Sequence, residues 1–246
     1  MSEDTPLLYY QEDLAYIHDS GFADFARNAG AEMITLLQNR GILDGLVVDL
    51  ACGTGIFSEM LLSAGYDVFG VDISASMLDI ARRRAPSATL MQASLLSVEL
   101  PPCRAVTILG EGINYLFDEA NDLSTVTRLF ERIYRALEPE GLLAFDTYQR
   151  LIAPNGGVHT ILREGEDWSV FAQSAVEGDI LTRRIVNFRK VGEGYRRSEE
   201  SHRQRLYTGA ELAKVLREVG FKARVCQGYG GFALAKSRAV VIAHKP

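Results

Sequence analysis

Cysteine is scarce in this chain: Cys52, Cys103 and Cys226 are the three among 246 residues, far apart and with no C-x-x-C. An odd, scattered set builds no disulfide framework. The four histidines, His18, His159, His202 and His244, show no ligand spacing. The sequence therefore predicts a reducing compartment and no structural metal. Long apolar runs are missing as well, and without about eighteen consecutive apolar residues no helical membrane span is expected. The opening Met1-Ser2-Glu3-Asp4 is acidic where a secretory leader is basic and then apolar, so a cytoplasmic location is expected. Positive charge is also short, with 26 Lys and Arg against 32 Asp and Glu and a net charge of -6. Affinity for phosphate backbones comes from clustered Lys and Arg, so nucleic acid is not an expected partner. Neither is a membrane, and a monomer or homodimer is expected.

What is present is an ordinary globular composition, 47% hydrophobic and 24% charged. A chain of this length buries a core without a disulfide or metal staple. Residues 14–40 read as a helix, with Phe22, Phe25, Ala29, Met33, Leu36 and Leu37 at helical spacing and Gly41 as a stop. Strands are expected at 45–50, 67–71, 89–92, 105–109 and 142–146, with helices at 57–64, 76–84 and 122–137 between them. Short apolar strands alternating with helices imply right-handed crossovers and a parallel sheet covered on both faces. After Tyr148 the pattern changes to three antiparallel strands, 169–176, 180–190 and 195–207, joined by glycine turns. A helix at 209–219 and strands at 221–226 and 239–244 follow. Residues 151–207 thus read as an insertion of about 55 residues, too small for an independent core. It is expected to serve as a substrate lid or platform within a single domain spanning 1–246.

The strand at 45–50 runs straight into Gly53-Thr54-Gly55 and then a helix, the setting of a nucleotide-type cofactor. Glycine is needed where the backbone turns sharply and a ligand approaches closer than a Cβ allows. Asp72 ends the next strand, nineteen residues beyond Gly53, where a carboxylate can accept both ribose hydroxyls of an adenosine. A dinucleotide would want a third glycine for its pyrophosphate, and Ser58 stands there. S-adenosylmethionine instead carries an amino-acid tail, whose ammonium suits Asp49 and the loop carbonyls.

Val47-Val48-Asp49-Leu50-Ala51-Cys52-Gly53-Thr54-Gly55 resembles the first motif of class I methyltransferases, and Gly70-Val71-Asp72-Ile73-Ser74 resembles the second. Ser76-Met77-Leu78-Asp79-Ile80-Ala81 is similar to the helix that follows, and Leu137-Glu138-Pro139-Glu140-Gly141-Leu142-Leu143 to the approach to the fifth strand. The resemblance implies a Rossmann-like, doubly wound α/β sheet, mostly parallel with an antiparallel last strand, and S-adenosylmethionine as cofactor. It places Asp49, Ala51, Cys52, Gly53, Gly55, Asp72, Ile73, Met77, Leu95 and Leu109 at the cofactor. Near the adenine, where the family often has an acidic residue, this chain reads Gln92-Ala93-Ser94-Leu95, which leaves Ser94 or a backbone group for that role. Tyr16, ranked above His18, could fold over the cofactor, and Arg27 could meet its carboxylate.

The fourth strand empties into Gly110-Glu111-Gly112-Ile113-Asn114-Tyr115, without the Asn/Asp-Pro-Pro-Tyr carried by enzymes that methylate nucleobase amines. A small-molecule acceptor is implied. Residues 81–86 and 199–208 are similar to bacterial amino-sugar N-methyltransferases. Displacement at a sulfonium methyl needs in-line placement above all, and a base only if the acceptor arrives protonated. Glu111, Tyr148 and His202 are the candidate catalytic residues, with Asn114 and Arg150 as further acceptor contacts. Each has a plainer reading. His202 alternates with Glu200 and Gln204 and could belong to a polar outer strand face, and Arg82-Arg83-Arg84 could simply complement a helix dipole. The alternatives are an NAD(P)-dependent oxidoreductase, which Ser58 disfavours, and a non-catalytic S-adenosylmethionine-binding protein.

Overall fold

The computed structural model describes residues 9–117, 121–150 and 159–246. The acidic amino-terminal residues and the start of the insertion at 151–158 lie outside the described residues. The chain opens with two helices, α1 (Glu12–Gly21) and α2 (Ala23–Asn39), where the sequence predicted one. The break has a steric cause. A Cβ at Gly21 would sit 2.4 Å from the Trp168 ring, so glycine lets that ring approach the helix end, and Phe22 leaves helical geometry (φ -131°, ψ 15°).

A doubly wound unit follows: β1 (Leu46–Leu50), α3 (Ile56–Ser63), β2 (Asp67–Asp72), α4 (Ala75–Arg84), β3 (Thr89–Gln92), β4 (Cys103–Ile108), α5 (Leu123–Ala136) and β5 (Leu137–Tyr148). Then come β6 (His159–Glu164), β7 (Trp168–Glu177), β8 (Ile180–Val191) and β9 (Gly194–Arg205). The chain closes with α6 (Gly209–Val219), β10 (Lys222–Cys226), the small pair β11 (Gly228–Tyr229) and β12 (Phe232–Ala233), and β13 (Arg238–His244). The main sheet has the order β10-β13-β5-β4-β1-β2-β3. Strands β1 to β5 pair in parallel, and β13 runs antiparallel to both neighbours, as expected.

The apolar runs at β1, β4 and β5 are buried on both faces. Val48, Val106 and Phe145 pack with Phe130 and Ile133 of α5 and Leu216 of α6. Val47, Ala105 and Ala144 pack with Met33 and Leu37 of α2 and Phe57 and Leu61 of α3. From β1 the chain winds outward through β2 to β3, then returns to β4 on the other side. The carboxyl ends of β1 and β4 therefore flank a crevice at the topological switch point, where open α/β sheets take ligands.

Strands β6 to β9 form a second, antiparallel sheet of four strands rather than three. Strand β6 is exposed at every position, so no hydrophobic alternation marks it in the sequence. Cross-strand register puts Arg163, Val170 and Asn187 on one face, with Ile161, Ala172, Ile185 and Glu200 in the next row and Ser174, Arg183 and His202 in the one after. That face receives Leu14 and Ile17 of α1, which cluster with Trp168, Val170 and Ile185. Asp13 adds ion pairs to Arg189 and Arg196. The small sheet thus shares its apolar cluster with the amino-terminal helix. Replacing Trp168 by Ala should destabilise the protein by about 3 kcal/mol through the cavity left beneath α1. Urea unfolding measures it, and a loss under about 1 kcal/mol would show that Trp168 does not anchor the helix.

Candidate active site

A cavity of about 450 Å³ opens at the switch point, between the carboxyl ends of β1, β2 and β4, helix α1 and the inner face of the small sheet. Its wall is mainly apolar with a few convergent polar groups, the usual make-up of a small-molecule site. Of the residues singled out in the sequence, Asp49, Ala51, Cys52, Gly53, Asp72, Ile73, Met77, Ser94, Leu95, Leu109 and Glu111 lie on this wall.

The turn after β1 is left-handed at Ala51 (φ 56°), Gly53 (φ 56°) and Gly55 (φ 76°). A Cβ at Gly53 would meet nothing within 4 Å, whereas one at Gly55 would stand 2.9 Å from Cβ of Ala81. Gly55 is thus off the wall and serves the packing of α3 against α4. Asp72 fastens the turn, because its Oδ2 accepts Gly53 N–H at 2.8 Å and its Oδ1 accepts Ser74 N–H at 2.9 Å. The carboxylate keeps further acceptor capacity for a ligand. Burial raises the Asp72 pKa, against these donors.

Asp49 is 2% exposed, and among the described residues it makes no ion pair. Its Oδ2 accepts the Ser58 hydroxyl at 2.8 Å and its Oδ1 the Thr107 hydroxyl at 3.2 Å. Burial pushes its pKa up to about 7, while the two hydroxyl donors work the other way. Ser58, which stands where a dinucleotide site wants glycine, is thus committed to this carboxylate. A buried carboxylate without a cation, a carboxylate with acceptor capacity to spare, and apolar walls at Ile73, Met77 and Leu95 together suit a ligand with an ammonium, a diol and a flat ring. S-adenosylmethionine has all three.

The far end is built differently. Glu111 lies at φ 62° and is 5% exposed. Arg238 Nη2 donates to its Oε1 at 2.9 Å, Arg183 Nη1 stands 3.8 Å from the same oxygen, and Oε2 is buried without a partner. Asp146, fully buried in β5, accepts Gly110 N–H (2.7 Å), Glu111 N–H (3.1 Å), the Tyr229 hydroxyl (2.9 Å) and Arg238 Nη1 (3.0 Å). The small sheet adds Ile161, Arg163, Val170 and Arg183 to this end of the wall. Tyr10 crosses it as a strap: Glu200 accepts the amide N–H groups of Tyr10 (2.6 Å) and Gln11 (2.9 Å), and the Ser74 hydroxyl donates to Tyr10 O.

Several expected site residues lie off the wall. On α1, four-residue spacing points Leu14 and His18 into the cavity, with Phe22 continuing the row. Tyr16 falls on the flank, its hydroxyl on Asp167 at 2.8 Å and its ring under Arg189. His18 and not Tyr16 thus lines the cavity, and burial pushes the His18 pKa down to about 4. Arg27 turns outward beside Asp24, its side chain 60% exposed. Tyr148 holds Asn114 through its backbone, at 2.9 and 3.0 Å, and Asn114 is a fully buried latch rather than an acceptor contact. Arg150 is exposed and off the wall.

His202 is also fully buried, bonded to Glu200 at 2.8 Å behind the Tyr10 and Tyr115 rings. The face it shares with Glu200 and Gln204 is the inner one, not an outer polar face. Arg84 does more than complement a dipole: its Nη1 donates to Asp19 and to Thr54 O. Sequence reasoning missed Arg163, Arg183, Arg238 and Asp146. The available signal was a charge set into an apolar strand, as at Asp146, or at its first position, as at Arg238.

A methyltransferase-domain family model matches residues 47–141. The Bacillus subtilis protein YqeM, which bears a methyltransferase name, is 32% identical over 188 residues, covering 72% of this chain and 74% of its own length. A dTDP-3-amino-3,6-dideoxy-alpha-D-glucopyranose N,N-dimethyltransferase of Streptomyces fradiae is 26% identical over 218 residues, 86% of this chain and 83% of that one. Among solved structures, an S-adenosylmethionine-dependent methyltransferase from Clostridium acetobutylicum matches in fold with a TM-score of 0.80 at 20% identity, covering 95% of this chain and 98% of that chain. Among the described residues no cluster could hold a metal ion and no helix is long and apolar enough to cross a membrane.

The Asp49 carboxyl should ionise near neutrality in the ligand-free protein, visible by carbon-13 NMR. Ser58→Ala should move the midpoint upward, because a donor that favours the charged form is lost. An Asp49 midpoint near 4 would contradict the dry setting described for it.

Proposed function

The chain belongs to the S-adenosylmethionine-dependent methyltransferases, and we propose that it methylates the amine nitrogen of a small polar acceptor of the amino-sugar class. The observation that carries the acceptor reading is Glu111 Oε2, a buried carboxylate oxygen without a partner, on the same wall as the donor motifs. An amine presents two or more N–H groups to such an oxygen, and a hydroxyl presents one. The Streptomyces fradiae relative, whose name states an amino-sugar acceptor, supports the same choice.

S-adenosylmethionine supplies an already electrophilic methyl group on a sulfonium, so alignment and exclusion of water are the protein's main tasks. In this reading Asp49 takes the donor's ammonium and Asp72 its ribose hydroxyls, with Ala51, Cys52, Gly53 and Leu109 lining that part of the wall. Ile73, Met77, Ser94 and Leu95 flank the adenine. Glu111 orients the acceptor amine and accepts its proton when it arrives charged. Tyr10, His18 and the strands of the small sheet close the space over both ligands. His202 supports the strap through Glu200, and Tyr148 supports Asn114; neither touches the reacting atoms. Residues 151–207 act as the acceptor's platform within one domain, 1–246, which we place in the cytoplasm.

Asp72→Ala should weaken S-adenosylhomocysteine binding about a hundredfold in isothermal titration, since two charge-assisted hydrogen bonds are lost. Unchanged affinity would remove Asp72 from the donor site. Labelled methyl donor offered to nucleotide-linked amino sugars, free amino sugars, their hydroxy analogues and carboxylic acids should mark an amine-bearing pool. Label confined to the carboxylic acids would overturn the amine reading. Glu111→Gln should slow that transfer about a hundredfold and leave donor binding intact.

A further inference from the structure

We infer that Arg238, anchored by Asp146, is the positioning residue that holds the Glu111 carboxylate toward the acceptor. The inference rests on the reading of Glu111 given above.

The backbone comes first. Gly110 and Glu111 are both left-handed, at φ 81° and 62°. That region costs a non-glycine residue about 1 kcal/mol or more, and it persists only where the surroundings impose it. Here the surroundings are Asp146, whose two oxygens take the two consecutive amide N–H groups. The side chain comes next. One guanidinium spans both levels, because Arg238 Nη1 donates to Asp146 Oδ2 at 3.0 Å and its Nη2 to Glu111 Oε1 at 2.9 Å. A planar fork of this kind fixes direction as well as distance, which the single ammonium of lysine cannot do. The fork is itself held. Arg238 opens β13, paired in register with Tyr148, and its guanidinium lies 4.9 Å from the Phe25 ring centroid and 5.8 Å from that of Tyr148. Tyr229 fills a remaining lone pair of Asp146.

The result is one-sided. Every donor the network brings to Glu111 falls on Oε1, and Oε2 is left over. Stability does not ask for this arrangement. A buried ionic network generally does no better than apolar residues of similar volume. Two carboxylates and two guanidiniums at a cavity end are better explained by the geometry they impose on one oxygen.

Arg238→Lys keeps the charge and removes the fork. On the acceptor found with labelled donor, kcat should fall by about 10- to 100-fold, while S-adenosylhomocysteine affinity stays within about twofold. In a Glu111→Gln background the same change should cost less than about threefold. An equal loss in both backgrounds would show Arg238 acting without Glu111 and would overturn the inference. A Glu111→Gln enzyme as active as the parent would instead overturn the reading of Glu111. Tyr229→Phe removes one hydrogen bond to Asp146 and no charge, and serves if the lysine variant folds poorly. Its kcat loss should be several-fold and should vanish with Glu111→Gln, and persistence there would count against the inference. Crystal structures of the parent and R238K need no acceptor: the Glu111 carboxylate should leave its place on the wall, and an unmoved carboxylate would overturn the proposal.

Discussion

Carboxylates near the carboxyl ends of parallel strands hold the loops that shape this cavity. A backbone that turns left-handed beside a ligand site points its N–H groups where neither helix nor sheet can pair them, and an unpaired buried N–H is costly. Asp72 takes one such group, from Gly53, together with the Ser74 N–H at the cap of α4, and Asp146 takes two, from Gly110 and Glu111. Both ends of the cavity are built by the same device, near the ends of β2 and β5. Without it neither turn could keep its side chains and carbonyls facing inward.

That device explains which parts of the molecule were legible in the sequence. The alternation of strands and helices, the glycine turn and Asp72 are local features, written in runs of a few residues. They placed the sheet, the crevice and the glycine-turn end of the cavity. The far end depends on pairings across long stretches of chain, such as Glu111 with Arg238, 127 residues apart. No local pattern announces them. His202 was ambiguous for a related reason, since strand alternation says that residues share a face without saying which face is buried. Here α1 and the Tyr10 strap cover that face, and the polar set of Glu200, His202 and Gln204 turns inward. Strand β6 had no alternation to read, because it is exposed throughout.

The cavity is shared between two bodies of unequal build. The main sheet has cores on both faces and carries the donor motifs. The small sheet has one apolar cluster, which it shares with α1, and it carries Arg163 and Arg183 of the far end. The glycine turn and Asp72 thus sit on the part with the deeper core. The far end combines Glu111, Asp146 and Arg238 of the main body with a surface of the small sheet whose residues alternate toward the cavity from three strands.

Arg84 joins α1 to the glycine turn from outside the cavity. Its guanidinium bonds Asp19, near the end of α1, and the carbonyl of Thr54 in the glycine turn. Because α1 also supplies Leu14 and His18 to the wall, one wall of the cavity is tethered to the turn that forms another. Remodelling α1 is therefore not independent of the turn. Arg84 gives a change there a direct route to the turn, so the two walls are mechanically linked and substitutions in one call for compensation in the other.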